Sequence, residues 1–109
     1  MKYFCDFENR VSKELLPGVA IKTYWGKEML LSLVNLEPNT VIPLHSHIHE
    51  QAGTVVSGEL NLTIDGQTRL LKAGEAYIVP GNVEHSASTG NTPTIVLDVF
   101  SPVREEYKY

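Results

Sequence analysis

Short β-forming stretches, broken at close intervals by glycine and proline turns, constrain this chain more than any other feature. Val19 to Tyr24, Glu28 to Leu36, Thr40 to His45, Thr54 to Val56, Glu59 to Ile64, Gln67 to Leu71, Ala76 to Val79, Glu84 to Thr89 and Thr94 to Phe100 read as strands. Branched and aromatic side chains dominate most of them, the kind that fit a pleated, half-buried surface. Turns fall at Gly26, Glu37-Pro38-Asn39, Ser57-Gly58, Lys72-Ala73-Gly74-Glu75, Pro80-Gly81 and Gly90-Asn91-Thr92-Pro93. Asp65-Gly66 is a hairpin signal, because both residues tolerate φ > 0. Leu60, Leu62 and Ile64 alternate with Glu59, Asn61 and Thr63, the pattern of a half-exposed strand. Glu28 to Leu36 is apolar at both parities, which predicts burial on both faces. No strand–helix–strand spacing is visible. The pattern predicts an all-β sandwich or small barrel.

The two ends read differently. Residues 1 to 18 are an irregular lead-in with a short helix expected around Asn9 to Leu15, closed by Pro17-Gly18. Ser101-Pro102 predicts a short helical tail, with Ser at the cap and Pro in the first turn. At 109 residues the chain suits one domain, 1–109, with a barrel core over about 19–101. Its hydrophobic fraction of 42% and charged fraction of 20% are those of an ordinary soluble globule. A net charge of −4 with scattered Lys and Arg argues against a nucleic-acid partner. Cys5 is the only cysteine, so no internal disulfide is possible, and it reads as a small, partly buried hydrophobe. Met1 to Arg10 lacks the apolar core of a signal peptide, and no apolar run reaches the roughly 18–20 residues of a membrane span. A cytoplasmic protein with no membrane contact is expected.

Chemistry concentrates in Pro43-Leu44-His45-Ser46-His47-Ile48-His49-Glu50-Gln51. On a strand, His45 and His47 share a face with Cβ atoms roughly 6–7 Å apart, a workable separation for two rings meeting one ion. On a helix the same spacing turns them to nearly opposite sides. The competing reading, a polar surface loop, fits poorly with β-branched runs on both sides. His85 follows the Pro80-Gly81-Asn82-Val83-Glu84 turn, where an adjacent strand can carry it to the same ion. In Thr94 to Phe100, Val96, Asp98 and Phe100 share one face, and Ile95, Leu97 and Val99 the other. A lone Asp in an apolar strand is costly unless paired or used; its structural role would be a partner for Arg104 or a backbone donor. With Asp98 inward, the apolar outer face needs covering by the N-terminal segment or a second subunit, and a homodimer is expected.

Pro43 to Glu59, PLHSHIHEQAGTVVSGE, resembles the first cupin motif, and Gly74 to His85, with its Pro80-Gly81 and terminal His, resembles the second. The resemblance implies a double-stranded β-helix (jelly-roll) cupin barrel. It also implies one divalent transition metal (Ni, Zn, Fe, Mn, Co or Cu) held by His45, His47, the Gln51 position and His85. Most cupins carry Glu at the third of these positions. Gln51 stands there with Glu50 one residue away; strand parity favours Gln51, and a bulge would favour Glu50. His49 has the same parity and reads as a neighbour of the ligands. Neutral donors alone leave the charge of the ion uncompensated, so an anionic ligand is favoured.

Leu97-Asp98-Val99-Phe100-Ser101-Pro102-Val103-Arg104-Glu105-Glu106-Tyr107 resembles the ending of the small KdgF-type pectin-degradation cupins, which open 4,5-unsaturated monouronates to the linear keto form. That resemblance implies catalytic roles for Asp98, Phe100 and Arg104: a proton shuttle, a pocket wall and a clamp on the substrate carboxylate. Arg104 could instead pair with Glu105 or Glu106, and Phe100 could be core. Tyr24, Trp25 and Tyr77 line the mouth or the core. The expected partner is a small anionic substrate, a sugar acid. Other activities open to such a site are iron-dependent dioxygenation, isomerisation or cyclisation of another enolisable small molecule, and metal-centred binding of a sugar acid without turnover.

Overall fold

A computed structural model describes residues 3–109. The strands are β1 (Lys13–Leu16), β2 (Val19–Trp25), β3 (Leu30–Leu36), β4 (Val41–His45), β5 (Glu50–Ser57), β6 (Glu59–Ile64), β7 (Gln67–Lys72), β8 (Ala76–Val79), β9 (His85–Ser88) and β10 (Thr94–Ser101). They form two antiparallel sheets, one of order β1-β2-β3-β10-β5-β8 and one of order β4-β9-β6-β7. Asp65 and Gly66 both have positive φ at the β6–β7 hairpin, as the sequence requires there.

The larger sheet presents its inner side chains in rungs. Ile21, Val34, Val96 and Val55 make one apolar rung across β2, β3, β10 and β5. With Leu36, Leu60, Leu62 and Leu71 they form the core; burying each such side chain is worth roughly 1.5–3 kcal/mol before the entropy cost. The next rung is Thr23, Ser32, Asp98, Gly53 and Tyr77, and the one beyond it Trp25, Leu30, Phe100, Gln51 and Val79. A polar layer thus lies against an apolar one inside the barrel.

Several expectations need correction. No helix forms over Asn9 to Leu15; β1 occupies Lys13–Leu16 instead, because Gly18, at φ +81°, turns the chain back to pair with β2. No helical tail forms either. Ser101 remains in β10 opposite Glu50, and its hydroxyl donates to the Glu28 carbonyl at 3.0 Å rather than capping a helix. Only a 3-10 turn follows, at Glu105–Tyr107, without a side-chain cap. β3 is buried on one face; Leu31 and Leu33 on the other are only half-covered. The N-terminal segment covers β2's outer side, where Phe7 packs edge-on against Tyr24 at 5.3 Å. It leaves the outer rung of Val99, Ala52 and Ile78 open, with Ile78 65% exposed. Among the described residues, no helix is long and apolar enough to cross a membrane.

Candidate metal centre

His45 on β4 and His85 on β9 are cross-strand partners, with ring centroids 4.2 Å apart. His47 lies 4.9 Å from His85 and 5.8 Å from His45 by the same measure. Each of the three offers a ring nitrogen within 4.8 Å of the others. They do not reach this arrangement by simple alternation along one strand. β4 ends at His45 after a register slip between Ile42 and His45, so His47 stands in the following loop. That loop is tied to the turn before His85: Asn82 N–H donates to the His47 carbonyl at 2.7 Å. Gly81 permits the approach, since a Cβ there would meet the Ile48 carbonyl oxygen at 2.5 Å.

Backbone carbonyls set the tautomers. Nδ1 of His45 faces the Pro43 carbonyl at 2.8 Å, that of His85 the Val83 carbonyl at 2.8 Å, and that of His47 the His49 carbonyl at 3.0 Å. A carbonyl only accepts, so in His45 and His85 Nδ1 carries the proton and Nε2 keeps a lone pair, while His47 faces an acceptor oxygen at both ring nitrogens. The His85 Nε2 is buried with no hydrogen-bond partner. Burial, the nearby Arg104 charge and His85 bring the His47 pKa down to about 4, and burial also lowers that of His85. Neutral imidazoles with free Nε2 atoms are the form that binds a metal ion.

Gln51 is buried on β5, with Oε1 3.1 Å from the His47 Nε2. The amide also favours the ionised form of Asp98, and its oxygen faces the imidazoles. A proton on the His47 Nε2 satisfies this contact, and a cation between the nitrogen and the amide oxygen satisfies it as well. The residues therefore fit a divalent metal as a set of three Nε2 atoms and one amide oxygen. Glu50 is exposed on the other face of β5. His49 is buried beside His47, ring centroids 5.7 Å apart, with its Nδ1 unpartnered.

Asp98 is 7% exposed. Burial pushes its pKa up to about 6, against the pull of hydrogen bonds from Tyr77 and Gln51 and of the Arg104 charge. Phe100 packs against the His47 ring at 5.6 Å and the Tyr107 ring at 5.5 Å. The Arg104 guanidinium stacks 4.0 Å from the Tyr107 centroid and 5.1 Å from that of Phe100. Its Nε is buried without a hydrogen bond, the Glu106 carboxylate being 3.6 Å away. Asp98, Phe100, Arg104, Gln51, His45 and His85 share one cavity of about 510 Å³, whose far end is the apolar core. Tyr77, left by the sequence between mouth and core, donates to Asp98, and Tyr107 joins the cavity wall unannounced. Register alone brings Tyr77 to Asp98, and local sequence does not carry it.

Two antiparallel sheets closed around clustered imidazoles at one end define a cupin. Residues 32–100 match the cupin domain model, and the chain belongs to the cupin family. Within it, the chain is 30% identical to the pectin degradation protein KdgF of Dickeya dadantii (strain 3937), over 97% of both chains. The structure of KdgF from Halomonas sp. superimposes with a TM-score of 0.92 at 25% identity, covering 99% of this chain and 100% of that one. A shorter match, 49% identical over 74 residues, is to H2HPP isomerase of Bacillus subtilis; it spans 66% of this chain and 30% of that protein.

Proposed function

We propose that this cupin, read as one domain over 1–109, is a metal-dependent enzyme that opens 4,5-unsaturated monouronates to the linear 5-keto form. The observation that carries the reading is the buried Asp98 carboxylate in the cavity it shares with His45, His85 and Arg104, with a His47 ring nitrogen within 4.8 Å of those of the other two histidines. In such a substrate the ring oxygen is both an enol ether and part of the C1 hemiacetal. Opening breaks the C1–O bond, turns the C1 hydroxyl into a carbonyl, and leaves an enol that becomes the ketone when C4 takes a proton. Asp98 accepts the C1 hydroxyl proton and returns one to C4, work suited to a carboxylate whose pKa lies near the operating pH. A divalent metal held by His45, His47, His85 and Gln51 would supply positive charge to offset the developing enolate. Arg104 fixes the substrate carboxylate with its planar fork, and Phe100 and Tyr107 wall the site from water. Elemental analysis, together with the loss of ene absorbance from an unsaturated monouronate, tests the reading; a metal-loaded protein that leaves the absorbance unchanged overturns it.

A second reading draws on the cavity's far end, lined by Val34, Leu36, Leu60, Leu62 and Val96. That wall offers no partner for sugar hydroxyls and suits an enolisable acid with an apolar body. The match to H2HPP isomerase supports isomerisation as the class of reaction. Turnover of an enolisable keto acid with an alicyclic body, and none of the uronate, decides for it. The open outer rung of Val99, Ala52 and Ile78 is read as the seat of a second copy, making a homodimer.

A further inference from the structure

The rung Thr23–Ser32–Asp98–Gly53–Tyr77 places Asp98 and Tyr77 two strands apart, with Gly53 between them. Neighbouring strands lie about 4.8 Å apart, so side chains two strands apart meet only where the intervening residue leaves room. Here they do meet: the Tyr77 hydroxyl donates to Oδ1 of Asp98 at 2.5 Å. A Cβ on Gly53 would overlap that same carboxylate oxygen and the hydroxyl end of the Tyr77 ring. Gly53 does not have positive φ, so its backbone conformation is open to any residue. A glycine inside a strand weakens it and marks a close approach. At 53 the approach is the crossing of Tyr77 to Asp98. Burial holds the Tyr77 phenol well above the usual phenol range, so it remains a donor.

We propose that Tyr77 is the positioning residue of Asp98, reaching through the gap above Gly53 to hold the carboxylate in one orientation toward the cavity it shares with His45 and His85. Gly53 is glycine to leave that path clear. The proposal rests on the proton-transfer role of Asp98 proposed above. Tyr77 itself touches neither substrate nor metal in this scheme.

The test uses the full-length, metal-loaded protein and its Tyr77→Phe and Gly53→Ala variants. Kinetics on a 4,5-unsaturated monouronate, metal content and a crystal structure of each are measured. Tyr77→Phe should lower kcat roughly 10- to 100-fold with KM within about twofold, the size of loss a small misplacement of a reacting group produces. Metal content should be unchanged, and the Asp98 carboxylate should be rotated in the crystal. Gly53→Ala should lower kcat in the same way while retaining the tyrosine. A Tyr77→Phe enzyme with unchanged kcat overturns the proposal, as does a kcat loss with Asp98 unmoved. If wild-type protein does not turn over the uronate, the proposed reaction fails by itself. The crystal structures then still decide the positioning, because an unmoved Asp98 in Tyr77→Phe refutes it.

Discussion

His45 and His85 face each other directly across β4 and β9, their ring centroids 4.2 Å apart, although 40 positions separate them in the chain. Both donate Nδ1–H to a carbonyl two residues earlier in the chain. Two strands thus aim two lone pairs at one place before any ligand arrives, and His47 joins them from a loop.

That loop histidine is the simplest one to remove. His47→Ala should weaken metal binding at least about 100-fold, since losing a direct donor costs no less than losing the groups that orient it. Elemental analysis after dialysis checks this, and full metal content would require another ligand set.

Asp98→Asn keeps the shape and removes the proton acceptor. Turnover of the unsaturated uronate should fall about 10²–10⁴-fold, the usual contribution of a positioned acid–base group, with metal content unchanged. An active Asp98→Asn enzyme dismisses the shuttle role.

Arg104 stacks on Phe100 and Tyr107, and its Nε makes no hydrogen bond, with only the Glu106 carboxylate near it at 3.6 Å. Arg104→Lys keeps the charge and loses the fork; KM should rise about tenfold, roughly 1.4 kcal/mol. Glu106→Gln should leave KM unchanged. The reverse pattern in Michaelis kinetics assigns Arg104 to the surface ion pair.

Buried Asp98 and half-buried His47 oppose each other in the metal-free protein. Asp98 rises from 3.8 to about 6 on folding, so the folded state holds a proton the unfolded chain has released, and its contribution to stability falls as pH rises through that window. His47 drops from 6.5 to about 4, so the unfolded chain holds the extra proton, and stability rises with pH over that range. The two slopes have opposite sign, and the lowered His85 adds to that of His47. Asp98→Asn should expose the histidine slope, with urea midpoints climbing from pH about 4 to about 6.5; a flat profile contradicts the assignment.

The strand content was legible because alternation and turn residues are local signals, clearest in β6–β7 with Asp65-Gly66 between them. Both end assignments failed for a shared reason. Pro17-Gly18 and Ser101-Pro102 carry helix or turn chemistry, yet pairing with β2 and β5 claims the residues beside them. At the site, spacing nominates His45 and His47 and the preceding turn nominates His85, while the break of β4 at His45 depends on a register slip no spacing reveals. Gly53 gave no sign at all, since its importance lies in what crosses above it.

The hydrogen bond from Asn82 to the His47 carbonyl joins the two histidine-bearing segments through their main chains. The chain itself keeps the His47 loop beside the turn that leads to His85, so the three imidazoles meet through main-chain geometry.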